Sequence, residues 1–274
     1  MNEPENSPAG KKLEFLKLGG SLITDKLSPR TARIEVIQRV GTEIKSALER
    51  DPSLQIILGH GSGSFGHISG KKYNTRQGVF SQEDWLGFAE VWYDAASLNQ
   101  LVVTALKDAN LSPLVFPPSS MIFSSNREIT TWDLRPIRSA LDKGLLPVVY
   151  GDVVFDADLG GTILSTEDLF VHLARNLYPQ RILLAGQDPG VWQDFPDCTS
   201  LFDTIRPSDR RAIGGTVGLS QAPDVTGGMA DKVEQMLSLI EEIPGLECRI
   251  FSGDEPGSIL KALSGQDLGT LLTL

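Results

Sequence analysis

Short apolar runs alternate along this chain with longer segments that have the periodicity of a helix. Residues 13–18 and 54–58 are apolar runs of strand length, and Ile34, Ile37 and Ile44 mark one face of a helix between them. A strand, a helix and a second strand in this order form a unit whose two strands pair in parallel. The alternation therefore predicts an α/β fold with a mainly parallel sheet.

The same alternation continues toward the end of the chain. A long helix is predicted at 82–109 and a hairpin near 121–131, while glycine, proline and aspartate between 186 and 226 indicate hairpins and loops. Further strands are predicted at 114–116, 147–150, 181–184, 248–251 and 270–272, and further helices at 167–177 and 229–240. No clean boundary interrupts this order, so residues 1–274 are predicted to form one domain.

The long helix is rich in aromatic side chains. It carries Trp85, Phe88, Trp92 and Tyr93 within its first half. Large aromatic residues bury much apolar area, so most of the four are predicted to lie in the core. One or two of them are expected to line a small apolar pocket.

Composition and charge exclude several classes of partner. The chain has 25 lysines and arginines against 35 aspartates and glutamates, a net charge of −10, whereas nucleic acids and anionic membranes attract excess positive charge. No apolar run is long enough to cross a membrane, and residues 1–11 are predicted to form a flexible polar tail. Cys198 and Cys248 lack the spacing of a zinc site or a disulfide framework. We predict a cytoplasmic protein that binds neither nucleic acid nor membranes.

Three lysines and a histidine lie beside glycine-rich segments. Lys17 is part of KLGGS, Lys26 ends ITDK, Lys232 ends DVTGGMADK, and His67 ends HGSGSFGH. Glycine turns expose backbone N–H groups, and together with cationic side chains these groups bind phosphate. The sequence therefore predicts a site for phosphoryl groups.

Two other phosphate-binding motifs compete with this interpretation. Residues 61–66, GSGSFG, match the dinucleotide motif G-x-G-x-x-G, and Glu83 lies roughly 20 residues further on, where that motif has an acid. The motif requires a helix that starts within it, but the residues that follow lack an apolar period, and Glu83 falls where a helix begins. A Walker A loop also fails, because the segment from Gly66 is one residue short and Lys72 replaces serine or threonine.

The glycine turns together favour a site for two phosphate groups. Gly19 and Gly20 follow the first predicted strand, residues 62–66 follow the second, and Gly228 opens a late helix whose N-terminus attracts anions. Each turn is weak support alone. A lysine or histidine at every turn strengthens the prediction, since folding alone does not require these charges.

With these motifs the chain resembles the amino acid kinase superfamily and, within it, the isopentenyl phosphate kinases. The resemblance implies a three-layer αβα sandwich with a mainly parallel central sheet. It also implies an N-terminal lobe, at about residues 12–178, that binds the phosphate acceptor and a C-terminal lobe, at about residues 179–274, that binds ATP. Proteins of this kind are expected to be homodimers. The motifs that carry it are KLGGSLITDK (17–26), HGSGSFGHISGKKY (60–73), PPSSMIF (117–123), LLPVVYGDVVFD (145–156), ILS (163–165) and DVTGGMADKV (224–233).

The resemblance also implies roles for individual residues. Lys17, Lys26 and His67 would be catalytic, with Lys26 on the transferring group and His67 on the acceptor's phosphate. The residues implied for ATP are Lys17, Gly19, Gly20, Ser21, Gly63, Gly190, Gly228 and Lys232. Those implied for the acceptor are Ser62, Gly66, His67 and Thr166.

The chain departs from the family pattern at the carboxylate that orients the lysines. The family has Ser-Gly-Asp where this chain has Ser165-Thr166-Glu167, so Glu167 or Asp168 would take this role. Both acids could instead complement the dipole of a helix N-terminus. A second departure is the sequence QDPGV at 187–191, where the family has D-V-D-G-V.

The resemblance implies ATP-dependent phosphorylation of isopentenyl phosphate to isopentenyl diphosphate, a step of isoprenoid biosynthesis. A phosphate monoester with a second pKa of about 6 is already a nucleophile at neutral pH, so no general base is expected. Mg²⁺ would be held by the ATP phosphates and water, without a protein metal site. Two alternatives stay open: a kinase for fosfomycin or another small phosphonate or phosphate, and a non-catalytic nucleotide- or anion-binding protein.

Overall fold

A computed structural model of the protein describes residues 10–25, 28–210 and 228–274, apart from the side chains of residues 67 and 68. Lys26 therefore lies outside the described residues, and so does most of the predicted tail. For His67 only the backbone position is given. The predictions that concern Lys26 and the side chain of His67 stay predictions.

The described strands and helices follow the alternation predicted from the sequence. The strands are β1 (Lys12–Leu18), β2 (Leu54–His60), β3 (Pro113–Val115), β4 (Phe123–Ser125), β5 (Glu128–Thr131), β6 (Leu146–Tyr150), β7 (Asp152–Asp156), β8 (Gly160–Leu164), β9 (Arg181–Gly186), β10 (Thr204–Ile205), β11 (Glu247–Ser252) and β12 (Thr270–Leu272). The helices are α1 (Gly20–Ile23), α2 (Ile34–Arg50), α3 (Gly63–Lys72), α4 (Gln82–Asp108), α5 (Pro118–Met121), α6 (Arg135–Asp142), α7 (Thr166–Leu177), α8 (Met229–Glu242) and α9 (Ser258–Leu263). Short 3₁₀ helices lie at Thr75–Gln77 and Pro207–Asp209.

Eight of these strands form the central sheet, in the order β10-β12-β11-β9-β1-β2-β6-β3. All neighbouring pairs are parallel except β11 and β12. Helices cover both faces, because a sheet of buried parallel strands has two apolar faces to shield from water. The predicted three-layer αβα sandwich with a mainly parallel central sheet is confirmed.

The pleat of β1 divides its side chains between the two cores. Leu13 and Phe15 pack into the core that contains residues of α6, α7 and α8. Leu16 and Leu18 pack into the core that contains residues of α2, α4 and α9. Side chains alternate along a strand, so Lys17 lies on the same face as Phe15, toward α7. This alternation decides which helix can supply a partner for Lys17.

A smaller sheet has the order β5-β4-β7-β8. The hairpin of β4 and β5 was predicted, whereas the hairpin of β7 and β8 was not. Asp156 stabilises both turns, because its carboxylate accepts hydrogen bonds from the backbone N–H groups of Asn126, Arg127 and Leu159. Burial opposes the charged form of Asp156, but these bonds and one from Ser124 outweigh it and lower its pKa to about 2.

The segment that follows β2 contradicts one prediction. Helix α3 begins at Gly63, inside GSGSFG, although the sequence predicted no helix there. The apolar period is missing because α3 packs on α4 through small and polar contacts. The Ser69 hydroxyl donates to the Asp94 carboxylate (2.8 Å), and the Tyr73 side chain lies where a Cβ on Gly87 would be.

The aromatic residues of α4 only partly follow the prediction. Phe88 is buried, and Trp85 packs against the same small cluster. Trp92 and Tyr93 are 45% and 61% exposed, so the prediction that most of the four aromatic residues lie in the core is wrong. Both side chains face solvent, between buried positions of this helix. No helix in the described part of the chain is long and apolar enough to cross a membrane.

Candidate active site

The turns after β1 and β2 begin next to each other at one edge of the central sheet. Parallel register places Leu18 of β1 beside His60 of β2 on one side and Ala185 of β9 on the other. The Gly19 N–H donates to the Ala185 carbonyl (2.7 Å), and the Gly61 N–H donates to the Leu18 carbonyl (3.0 Å). Three strand ends are thereby joined at the edge where open α/β sheets bind ligands.

The two glycine turns contact each other directly. A Cβ on Gly20 would lie 2.4 Å from the Gly63 nitrogen, so no side chain fits between the turns. Gly63 has φ of +49°, which favours glycine, and a Cβ there would lie 2.2 Å from the Thr24 hydroxyl oxygen. Gly20 and Ser21 begin α1, and Ser62 precedes α3, so the N–H groups of both turns occupy a small region.

Lys17 forms a buried ion pair with Glu167. Its Nζ lies 2.6 Å from Glu167 Oε1, and the two residues are 7% and 4% exposed. Glu167 belongs to the first turn of α7, on the face of the sheet toward which Lys17 points. The sequence left open whether Glu167 or Asp168 contacts the lysines, and in the structure Glu167 is the acid that contacts Lys17.

Lys232 is the second cation that acts on Glu167. Burial favours the neutral acid, but the charges of Lys17 and Lys232 and the hydrogen bond from Lys17 hold the pKa of Glu167 below its usual value. Lys232 lies in the first turn of α8, and its N–H donates to the carbonyl of Gly228, which precedes this helix (3.3 Å). The charges of two lysines, one near each end of the chain, thus keep the carboxylate ionised.

Asp168 does not face Lys17. Its carboxylate and Ser165 form the capping box at the start of α7. The same carboxylate accepts hydrogen bonds from Arg76 Nη1 (3.3 Å) and Gln235 Nε2 (2.8 Å). Its position fits the alternative of a helix-terminal acid that also joins neighbouring elements.

The remaining predicted residues lie around this edge or pack against the central sheet. Thr166 is buried, and its hydroxyl donates to the His60 carbonyl (2.7 Å). A Cβ on Gly66 would lie 2.6 Å from the Ser62 hydroxyl, and one on Gly190 would lie 2.7 Å from the Thr270 hydroxyl. His67 lies on α3, where its backbone alone is described. Ligand contacts of these residues stay predictions.

Comparison with known proteins gives the family. Residues 12–252 match the amino acid kinase family. The chain belongs to this family. It is 35% identical over 272 residues to isopentenyl phosphate kinase of Methanothermobacter thermautotrophicus, covering 94% of this chain and 98% of that protein. It is 31% identical to isopentenyl phosphate kinase of Methanocaldococcus jannaschii, covering 94% of this chain and 97% of that protein.

A solved structure agrees with these relatives. An X-ray structure of isopentenyl phosphate kinase has a TM-score of 0.81 and 31% identity, covering 95% of this chain and 100% of that chain. The predicted membership in the amino acid kinase family, among the isopentenyl phosphate kinases, is confirmed. The dinucleotide-binding alternative was rejected partly because no helix was predicted within the glycine motif. Helix α3 does start there, so that reason was wrong, and the family membership excludes the alternative instead.

Beside the predicted residues, this amino acid kinase has a buried polar cluster that the sequence did not predict. His60 Nδ1 lies 3.1 Å from the Gly61 carbonyl, and Nε2 lies 3.2 Å from the Asn99 side chain. Burial lowers the pKa of His60, and the charge of Lys17 lowers it further, so the ring is neutral at pH 7. The Gly61 carbonyl can only accept a hydrogen bond, so Nδ1 carries the one N–H of the neutral ring and donates to it, while the unprotonated Nε2 faces the Asn99 side-chain amide. Only the fold brings Asn99 of α4 to His60.

The cluster continues to an acid after β6. Tyr150 stacks on His60 with ring centroids 5.4 Å apart. Burial raises the pKa of Asp152 to about 6, although hydrogen bonds from Ser119, Val153 and Tyr150 oppose the shift. The Gly-Asp pair at 151–152 is the only local signal for this site, and it is too common to identify a buried acid by itself.

Proposed function

We propose that this protein transfers the γ-phosphoryl group of ATP to isopentenyl phosphate and forms isopentenyl diphosphate. The observation that carries the proposal is the buried pair of Lys17 and Glu167, with Lys232 acting on the same carboxylate, beside two glycine turns. The relatives with the same fold over the whole chain are named isopentenyl phosphate kinases. This geometry suits a reaction between two anions that repel each other.

Positive charge and fixed N–H groups supply the catalysis in this proposal. Lys17 and Lys232 bind the ATP phosphates, and the ionised Glu167 holds both ammonium groups in place, leaving one positive charge in excess. Lys26 neutralises charge on the transferring group. Phosphoryl transfer depends mainly on in-line positioning and electrostatic stabilisation, which lysines and backbone N–H groups provide.

The acceptor needs a binding group but no general base. Its phosphate oxygen is already ionised at neutral pH and attacks directly. His67 holds this phosphate, with Ser62, Gly66 and Thr166 around it. Gly19, Gly20, Ser21, Gly63, Gly190 and Gly228 contribute on the ATP side.

An apolar cluster supports an acceptor with a hydrocarbon tail. Val79, Phe88, Val91, Val153 and Ile163 are buried together where α4 meets β7 and β8, with Trp85 packed against them. The ring of Phe155 lies 5.3 Å from Phe88 and is 47% exposed. Because α3, which carries His67, packs against α4, this apolar wall adjoins the proposed acceptor side. A compact epoxide phosphonate such as fosfomycin would not need such a wall.

The proposal includes Mg²⁺, a homodimer and a cytoplasmic location. In the described residues no group of three or more histidines, cysteines, aspartates or glutamates is placed to hold a metal ion. Glu167 is committed to lysines, so Mg²⁺ would bind the phosphates of ATP and water, and would neutralise charge between the two substrates. Residues of about 12–178 would bind the acceptor and residues of about 179–274 would bind ATP.

The first test is an acceptor screen with Mg-ATP. We expect isopentenyl phosphate to raise the release of ADP at least about 100-fold more than fosfomycin does, because a missing apolar contact and a misplaced anion both reduce productive binding. The measurement is a coupled ADP assay over a range of acceptor concentrations. Equal or faster turnover of fosfomycin would support the phosphonate kinase alternative, and no ADP release with any acceptor would support a non-catalytic protein.

Replacement of His67 by alanine should act on the acceptor. A charge-assisted hydrogen bond contributes about 1.5–3 kcal/mol, so we expect kcat/KM for isopentenyl phosphate to fall roughly 10- to 100-fold while KM for ATP changes little. His172→Ala is the matched control, since His172 lies on α7 and stacks on Trp132. Unchanged acceptor kinetics in His67→Ala would remove this role from His67.

A further inference from the structure

Asp168 joins three segments that are distant in the sequence. Its Oδ2 accepts from the Ser165 N–H (2.7 Å) and from Arg76 Nη1 (3.3 Å), and its Oδ1 accepts from Gln235 Nε2 (2.8 Å). Arg76 Nη1 also donates to the Ile163 carbonyl at the end of β8 (2.9 Å). One carboxylate therefore connects the start of α7, the 3₁₀ helix after α3, and α8.

The outer ends of this connection belong to elements that carry, or directly follow, residues of the proposed reaction. Gln235 follows Lys232 by three residues on α8, so the two side chains lie on neighbouring positions of one helix face. Arg76 belongs to the 3₁₀ helix that follows α3, the helix of His67. Asp168 itself follows Glu167, which holds Lys17. The two adjacent acids of α7 thus have different partners: Glu167 binds Lys17, and Asp168 binds Arg76 and Gln235.

With Gln235 as the donor, the connection requires a carboxylate at position 168. Both oxygens of Asp168 accept hydrogen bonds, whereas an asparagine would present an NH₂ group at one of them. The side chains of Asp168 and Arg76 are 18% and 16% exposed, so water screens their interaction only in part. A helix cap alone needs one accepting oxygen, and the bond from Gln235 uses the other. Capping alone therefore leaves the contacts of Asp168 with Arg76 and Gln235 unexplained.

We propose that Asp168 is a positioning residue that holds α8, with Lys232, at a fixed distance from the segment that follows α3, with His67. The inference rests on the proposed function, in which these two elements bind the donor and the acceptor. A misplacement of about 1 Å between reacting groups can reduce the rate about 100-fold, so a contact that joins the two sides affects alignment more than the binding of either substrate.

Gln235→Met tests the connection without removing the helix cap. Methionine keeps the length of the side chain and its packing but cannot donate to Asp168. We expect kcat to fall about fivefold or more, while the dissociation constants of ATP and isopentenyl phosphate, measured separately by calorimetry, and the Tm change little. Gln38→Met, at an exposed position of α2, is the matched control and should retain the wild-type kcat.

A charge exchange provides the sharper test. Gln235→Glu places a second carboxylate against Asp168, so kcat should fall further than in Gln235→Met. Adding Asp168→Asn to Gln235→Glu restores a donor and an acceptor across the contact, and kcat should rise again at least about threefold. If Asp168 and Gln235 acted independently, the opposite would follow, because the two losses would add.

Two readouts separate this inference from the proposed function. Absence of wild-type turnover with isopentenyl phosphate would overturn the proposed function. Hydrogen exchange would then still test the contacts of Asp168. Their loss in Gln235→Glu should speed exchange in peptides that cover the 3₁₀ helix at Thr75–Gln77 and the first turn of α8. Kinetics and exchange identical to Gln38→Met, or no recovery in the double variant, would overturn the role of Asp168.

Discussion

Lys17→Met is expected to lower kcat about 1000-fold, the largest effect of any single replacement in this protein. Removal of one preorganised donor from a site of developing charge costs a factor of about 100–1000, and Lys17 is in addition the direct partner of Glu167. Without its ammonium group, the carboxylate would repel the ATP phosphates. Single-turnover and steady-state ADP assays measure the loss.

The same replacement should destabilise the fold, and a second variant separates the two effects. Removal of one partner from a buried ion pair costs roughly 3 kcal/mol, because the other charge stays buried. Glu167 is 4% exposed, so the free energy of unfolding should fall in Lys17→Met. The double variant Lys17→Met with Glu167→Met removes both charges, and it should regain most of the stability while it stays inactive.

Lys12→Met is the matched control on the same strand. Lys12 pairs with Asp51 at the opposite end of β1 and its side chain is 52% exposed. Water screens an exposed ion pair, so its loss should leave stability and kcat close to wild type. If Lys17→Met kept a tenth of the wild-type kcat, or if the double variant regained activity, the electrostatic role of Lys17 would be wrong.

Gly20→Ala is expected to have the second largest effect, a fall in kcat/KM of about 100-fold. Its Cβ would lie 2.4 Å from the nitrogen and 2.5 Å from the Cα of Gly63, and backbone atoms cannot rotate away as a flexible side chain can. The turns after β1 and β2 must therefore separate, and a shift of about 1 Å between groups that align the substrates costs about this factor. Overpacking should also lower the free energy of unfolding by about 1–3 kcal/mol.

Gly151→Ala is the control for Gly20→Ala. Gly151 follows β6 at the same edge of the sheet, and a Cβ there would lie 3.5 Å or more from its neighbours, which is ordinary contact. We expect its kinetics and stability to stay close to wild type. Similar losses in both variants would indicate that any added methyl group at this edge is harmful, and would contradict the specific packing of Gly20 on Gly63.

Patterns within short segments were sufficient to predict most of the fold. The bounds of β1, β2 and α4 fall within two residues of the predicted ones, and α2 lies where a helix was predicted, because buried strands and amphipathic helices carry their own periodicity. The family resemblance was likewise contained in local motifs. Helix α3 escaped prediction because its contacts with α4 use Ser69 and the glycine at position 87 rather than a row of apolar residues.

The residues of the candidate site were also predicted only in part. Lys17, Lys232 and the glycine turns were recognisable because each lies in a short motif with a phosphate-binding composition. The sequence could not decide between Glu167 and Asp168 as the partner of Lys17. The two acids are adjacent in one helix turn, and their partners lie far away in the sequence. Nor did the exposure of Trp92 and Tyr93 follow from their apolar character, since it depends on which side of α4 faces the core.

The sequence by itself thus determined the α/β class through its periodicity, and the amino acid kinase family and the lysine-bearing glycine turns through short motifs, because both are properties of neighbouring residues. The tertiary structure alone decided that Glu167 meets Lys17, that Asp168 instead joins Arg76 to Gln235, and that Gly20 packs on Gly63. These contacts depend on strand register and on the angle at which helices cross the sheet. Both are set by the whole core, so no single segment contains them.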